Sequence, residues 1–103
     1  MSKRTMGILT ECIPIFTMLQ DESRQQILML LFDHKEMTVS EITENLELSR
    51  PAVSHHMKLL LDASLVSVKK NGKERIYSLN LQNAVKQLKE LLLSLESDIK
   101  YDA

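Results

Sequence analysis

What this 103-residue sequence has little of is informative: no tryptophan, one cysteine, two glycines, two prolines and only 4% aromatics. The single Cys12 rules out a disulfide within the chain and fits a reducing compartment. Two glycines leave no Gly-rich phosphate loop, and no Ser/His/Asp arrangement stands out, so an enzyme is not expected. No apolar run approaches the roughly 20 residues that cross a bilayer. The first residues, MSKRTMGILTECIPIF, show no signal-peptide cleavage pattern. A cytoplasmic protein without membrane contact is the expectation.

What is present is ordinary in bulk and uneven in detail. Hydrophobic residues make up 44% and charged residues 26%, as in a soluble globular protein. The length suits a single domain over residues 1–103 with one core and no staples. Net charge is −1, which by itself argues against a polyanionic partner. Yet six Lys and Arg against two acids give Arg50–Ile76 a charge of +4, which leaves −5 for the remainder. Such segregation makes a positive face on a mildly acidic body.

That basic stretch lies inside LSRPAVSHHMKLLLDASLVSVKKNGKERIYSLN, residues 48–80. Ser49 is a good N-cap, and Pro51 falls in the first turn, where a missing amide costs little. Val53, Met57 and Leu60 recur at helical spacing, with Ala52, His56, Leu59 and Ala63 on the same broad side. Ser54, His55, Lys58 and Asp62 take the opposite side. Residues 65–70 and 74–79 then alternate apolar and polar, with Asn71-Gly72 as the turn signal between them. A helix with a polar outer face, followed by a hairpin carrying Lys69, Lys70, Lys73 and Arg75 near its tip, fits double-stranded DNA. The helix would enter the major groove while the hairpin follows the phosphates.

The flanking segments read as further helices. Residues 5–19 carry two apolar stripes, Leu9-Ile13-Phe16 and Ile8-Cys12-Ile15-Leu19, which need cover on two sides. Pro14 should kink or restart that helix. Asp21 caps a helix over about residues 22–32, whose run Ile27–Phe32 is apolar nearly all round and predicts a mostly buried central helix. Met37-Thr38-Val39 reads as a short edge strand. Ser40 is taken as the cap of a brief helix with Ile42 and Leu46 inward and Glu41, Glu44 and Glu47 outward. With the tight turn Glu47-Leu48 and the helix after Ser49, this makes a helix-turn-helix over about residues 40–63. In the last helix, about residues 81–99, Leu81, Val85, Leu88, Leu92, Leu95 and Ile99 step by 4, 3, 4, 3, 4. That is a seam of period 3.5 with nothing downstream to cover it. A homodimer built on Leu9, Ile13, Phe16 and this seam is the expectation.

Three motifs now coincide. Phe16-x-x-Leu19-x-Asp21-x-x-Arg24-x-x-Ile27-Leu28, Ser49-x-x-x-Val53-Ser54-x-His56-Met57-x-x-Leu60 and the hairpin through Gly72 to Tyr77-Ser78-Leu79 resemble, in that order, the signature, recognition helix and wing of the ArsR/SmtB family. The similarity spans about residues 16–80. One departure is Ser64, where the family usually places a glycine that ends the helix in a left-handed conformation. The resemblance implies a mainly α winged helix-turn-helix with a small β-hairpin (the wing, about residues 65–79) and helical dimerisation elements at both ends. It also implies a homodimeric repressor on an inverted-repeat operator. By position Ser49, Arg50, Ser54, His55 and Lys58 would face bases or nearby phosphates, and Lys69, Lys70, Lys73 and Arg75 the backbone phosphates. His56, on the apolar side of its helix, reads as partly buried with one hydrogen bond, and Tyr77 as packing. Ser40 and Gln26 are not separable from ordinary surface.

The releasing signal is not written in the sequence. Metal-sensing members of the family carry a Cys-x-Cys pair beside the short helix, or Asp, His and Glu ligands on the last one. Residues 36–41 hold neither Cys nor His, and neither does the helix over 81–100, so no metal and no cofactor is expected. Two other readings stay open: a winged-helix protein–protein module, and a repressor that responds to oxidation through Cys12.

Overall fold

The computed structural model describes residues 1–102. Along the chain come α1 (Lys3–Leu19), α2 (Glu22–His34), β1 (Glu36–Thr38), α3 (Val39–Glu44), α4 (Arg50–Asp62), β2 (Val66–Asn71), β3 (Glu74–Leu79) and α5 (Gln82–Asp102). The sheet is antiparallel in the order β1-β3-β2, so the hairpin gains a short third strand on its free edge. This is the expected winged helix-turn-helix, mainly α.

The centre of the molecule packs where the periodicity indicated. Ile27 and Leu31 from α2, Ile42 from α3, Val53, Met57 and Leu60 from α4, and Leu65, Val66 and Tyr77 from the hairpin are all buried together. Ser49 caps α4 by accepting a hydrogen bond from the Ala52 amide at 3.3 Å, and Pro51 lies in the first turn. Strand pairing sets Val66 opposite Leu79 and Val68 opposite Tyr77, on the face that meets the helices.

Several local expectations are corrected. Helix α1 does not restart at Pro14; one helix runs through it, with Ser2 as its cap. Helix α2 is not buried all round. Ile27 and Leu31 point into the core, but Met29 and Phe32 stand 66% and 64% exposed. A run of six apolar residues covers more than one turn, so some of them must face away from any single core. Thr38, not Ser40, caps α3: its hydroxyl accepts from the Glu41 amide while the Glu41 carboxylate accepts from the Thr38 amide. The pattern Thr-x-x-Glu of a capping box marks this position, whereas Ser40 has Thr43 three residues on. The hairpin turn sits one residue later than expected, because Asn71 still pairs with Glu74. Gly72 and Lys73 form the loop, and Gly72 takes a φ of 66°. Glycine first, with positive φ there alone, is the pattern of a type II′ turn.

Ser64 does what the missing glycine would do. It adopts a φ of 60° at the end of α4, and the Leu65 amide reaches back to the Leu60 carbonyl at 3.0 Å. The left-handed helix end is kept at some conformational cost, because an L side chain disfavours that region.

The two long end helices lie together as a second layer, with Cys12 and Ile15 of α1 and Ala84, Leu91 and Ser94 of α5 buried. A polar knot fixes their relative register. The Ser2 amide donates to Asp98 Oδ2 at 2.9 Å, and Thr5 Oγ1 bonds both Ser2 Oγ and Ser94 Oγ.

Candidate nucleic-acid interface

The polar face of α4 and the inner side of the wing open onto one groove of about 670 Å³. Arg50, Ser54 and Lys58, spaced at 4 and 4 along α4, line one wall; Lys73 and Arg75 line the other. Arg50 is the first residue of α4, and its Nη1 donates to Ser40 Oγ at 2.8 Å, which holds the guanidinium at the mouth. The positive end of the helix dipole lies beside it. Four cations against Asp62 and Glu74 leave the groove net positive in a chain whose total charge is −1.

A second arrangement fixes the attitude of α4. Asp21 caps α2, its Oδ2 accepting from the Arg24 amide at 2.9 Å. That bond, helped by the nearby Arg24 and His56, holds the Asp21 carboxyl below its ordinary pKa. Arg24 then caps the end of the previous helix, donating from Nε to the Met18 carbonyl at 3.0 Å and from Nη2 to the Thr17 carbonyl at 3.2 Å. Its Nη1 reaches His56 Nδ1 on α4 at 3.4 Å, and Asp21 Oδ2 lies 3.9 Å from the same nitrogen. The Asp-x-x-Arg spacing thus ties α1, α2 and α4 at one point. His56 is partly buried there, as its place on the apolar side required.

Comparison with known proteins agrees with this architecture. A family model described as "Bacterial regulatory protein, arsR family" matches residues 21–68. The arsenical resistance operon repressor of Staphylococcus xylosus is 41% identical over 70 residues, which span 68% of this chain and 66% of that relative, just under two thirds of its length. The transcriptional repressor SdpR of Bacillus subtilis is 31% identical over 88 residues, 82% of this chain and 97% of that protein. The solved structure of reduced HlyU from Vibrio cholerae matches with a TM-score of 0.74 at 31% identity, covering 91% of this chain and 97% of that one. The chain belongs to the ArsR family. The family is described as one of bacterial regulatory proteins.

Not every anticipated contact of this ArsR-family protein gathers in the groove. Arg50, Ser54, Lys58, Lys73 and Arg75 meet there, while Ser49, His55, Lys69 and Lys70 do not line it. The Ser49 hydroxyl is occupied as the α4 cap. Lys70 sits opposite Arg75 on the same face of the wing. Lys69 points to the other face, where its Nζ pairs with Glu36 Oε1 at 2.8 Å. Only the strand register reveals that neighbour, which comes from β1, 33 residues away in sequence. Asp62 and Glu74, which temper the groove, were visible in sequence only as charges within the basic stretch.

Cys12 lies fully buried between α1 and α5, its thiol 3.7 Å from the Gln87 carbonyl. Burial first, and then the charges of Glu11 and Glu90, push the thiol pKa above its ordinary value. An exposed thiolate, which an oxidation sensor needs, is not what this position presents.

Proposed function

We propose that this ArsR-family regulator is a homodimeric repressor that binds an inverted-repeat operator in double-stranded DNA. The observation that carries the reading is the groove itself, with base-reaching side chains on α4 and cationic ones on the wing opening onto the same space. Arg50 offers the fork that pairs bidentately with guanine, and Ser54 and Lys58 follow along the same helix face. Lys73, Arg75 and Lys70 supply phosphate contacts, and Lys69 joins them once Glu36 releases it. In this reading the helix-turn-helix over about 40–63 and the wing over about 65–79 form the DNA-binding unit.

Dimerisation rests on the end helices, over about 5–19 and 81–99. Ile13 and Phe16 on α1, and Val85, Leu92 and Ile99 on α5, remain exposed after the two helices have packed on each other. Leu9, Leu81, Leu88 and Leu95 are half-buried beside them. An apolar face of this size on a two-helix layer fits a second copy, and an inverted repeat is the DNA symmetry a twofold dimer matches. The Staphylococcus and Bacillus relatives are both repressors by name, which supports repression rather than activation.

Among the described residues no three His, Cys, Asp or Glu side chains come together where they could hold a metal ion. The lack of Cys and His in the family's usual ligand positions is what supports a signal other than a metal. No described helix is long and apolar enough to cross a membrane, which is compatible with a place in the cytoplasm.

Fluorescence anisotropy with the protein's own promoter DNA, over a series of salt concentrations, tests the reading. The expected result is saturation at one dimer per inverted repeat, with affinity falling steeply as salt rises. Binding no tighter than to unrelated DNA would overturn it and favour the protein-interaction module.

A further inference from the structure

The exposed outer side of α2 lies outside both the basic groove and the unpaired seam of the end helices. Gln26, Met29 and Asp33 follow one another at 3 and 4 along this helix, and Phe32 flanks them. Across a shallow groove of about 400 Å³ stand Asn45, Leu46 and Glu47, in the turn after α3, with Leu30 at its floor. Two large apolar side chains, Met29 and Phe32, project into solvent with about two thirds of their surface free. Adjacent exposed groups of this size mark interaction surfaces more often than chance surface.

The charges around the groove are of one sign. Asp33 and Glu47 line it, no Lys or Arg does, and the exposed Glu44 ends α3 just before Asn45. Lys35 does not line the groove; its Nζ lies 5.2 Å from the centre of the Phe32 ring. From Gln26 to Asp33 the wall runs two helical turns, about 10 Å. That length accepts the apolar stripe of one helix at i, i+4 and i+7.

We infer that the groove between α2 and the turn after α3 docks a cationic amphipathic helix of a partner protein, with apolar residues on Met29, Leu30 and Leu46, Phe32 bordering the docked helix on the outer side of Met29, and Lys or Arg against Asp33 and Glu47. Charge complementarity chooses this occupant over DNA, which the two carboxylates repel. It also chooses it over an acidic helix of the same apolar pattern.

The test uses the full chain and two labelled helical peptides of about five turns with the same leucine stripe, one flanked by lysines and one by glutamates at the same positions. The lysine peptide should bind at least about tenfold more tightly than its twin, with the preference shrinking as salt rises. Met29→Ser with Phe32→Ser should weaken the lysine peptide about tenfold or more, and Asp33→Lys with Glu47→Lys should reverse the preference. All four side chains are exposed, so thermal unfolding and promoter DNA affinity of the apolar double variant should match the parent. Equal affinity for both peptides, or lysine-peptide binding untouched by the Met29 and Phe32 changes, would overturn the inference. So would a self-association beyond the dimer that those two changes abolish, because the surface would then belong to a second copy.

Discussion

The central unit and the end-helix layer use the same apolar residue types and reach opposite outcomes. In the centre, Ile27, Leu31, Ile42, Val53, Met57, Leu60, Leu65 and Val66 are shut off from solvent. In the end layer, α1 and α5 bury one side each and leave Leu92 60% and Ile99 67% exposed. Helices from several directions and a sheet converge on the centre, so its inward-facing apolar side chains find cover, while Met29 and Phe32 on the outer side of α2 stand clear of it. Two helices side by side cover only the facing stripe of each, and of the period-3.5 seam every second position, Val85, Leu92 and Ile99, remains exposed. The core of the centre closes within one chain; the end layer leaves an apolar face open, which the proposed dimer would cover. The elongated outline, 54 × 25 × 21 Å, reflects that division.

The largest effect should come from breaking the complete half. Leu60→Ala removes a fully buried side chain from the meeting point of α4, the hairpin and α2, and should cost about 2–5 kcal/mol of folding stability. Denaturant titration would show this as a loss that a conservative Leu60→Met change largely spares. Should the loss instead stay below ~1 kcal/mol, the centre is not a self-sufficient core.

Next in size is a change that spares folding and strikes assembly. Leu92→Asp places a charge on the exposed seam of α5. A side chain that becomes covered in a dimer contributes about 1.5–3 kcal/mol per copy, so with both copies changed the dimer should dissociate at a concentration at least about hundredfold higher. Sedimentation across a dilution series reads this directly. A parent chain that is already a monomer at micromolar concentration would sink the dimer reading, whatever the variant does.

A similar contrast runs within the DNA face. Arg50→Ala should weaken operator binding by about 1–3 kcal/mol while leaving nonspecific binding nearly unchanged, whereas Lys70→Ala should weaken both alike. Equal losses of specific and nonspecific affinity for the Arg50 variant would remove its base-reading role. Smaller again is the effect of Glu36→Gln, which frees Lys69 from its partner on the outer face of the wing. An exposed pair of this kind is worth less than ~1 kcal/mol, so nonspecific DNA affinity should rise only a few-fold. No rise at all would mean that Lys69 stays clear of phosphate even when unpaired.

Most of this architecture was legible in the sequence, because it rests on short-range periodicity. The α4 cap at Ser49, the alternating wing and the seam of α5 each declare themselves within one continuous stretch of sequence, and the three ordered motifs join them into one fold. What escaped depended on direction or on distant partners. The run Ile27–Phe32 could not say which of its side chains faces inward, because six consecutive apolar residues point all ways round a helix. The one-residue shift of the hairpin turn follows from the register that keeps Asn71 opposite Glu74. Lys69 reads as free until β1 is laid against β3 and brings Glu36 alongside. In the candidate interface the residue types were legible, and their convergence was not.

The smallest expected effect separates the two regions by pH. Asp21 at the central junction and Asp98 in the end layer both have carboxyl pKa values held below the ordinary aspartate range, each first of all by a backbone amide, from Arg24 and Ser2 respectively. A carboxyl whose folded value lies below its unfolded one contributes stability that is fully present above the unfolded pKa, about 3.8, and is lost as pH falls through the folded value. Stability should therefore be flat near neutrality and decline below about pH 4. Asp21→Asn should lower stability at neutral pH and flatten that acid decline, because the amide cannot supply the charge that the Arg24 and His56 neighbours favour. Asp98→Asn lies at the exposed end of α5, where water screens the charge, so its effect should be the lesser of the two. If the two variants showed equal neutral-pH losses, the polar knot of the end layer would hold the fold together as firmly as the three-helix junction does. An unchanged acid slope in the Asp21 variant would show that the junction depends on its hydrogen bonds and not on its charge.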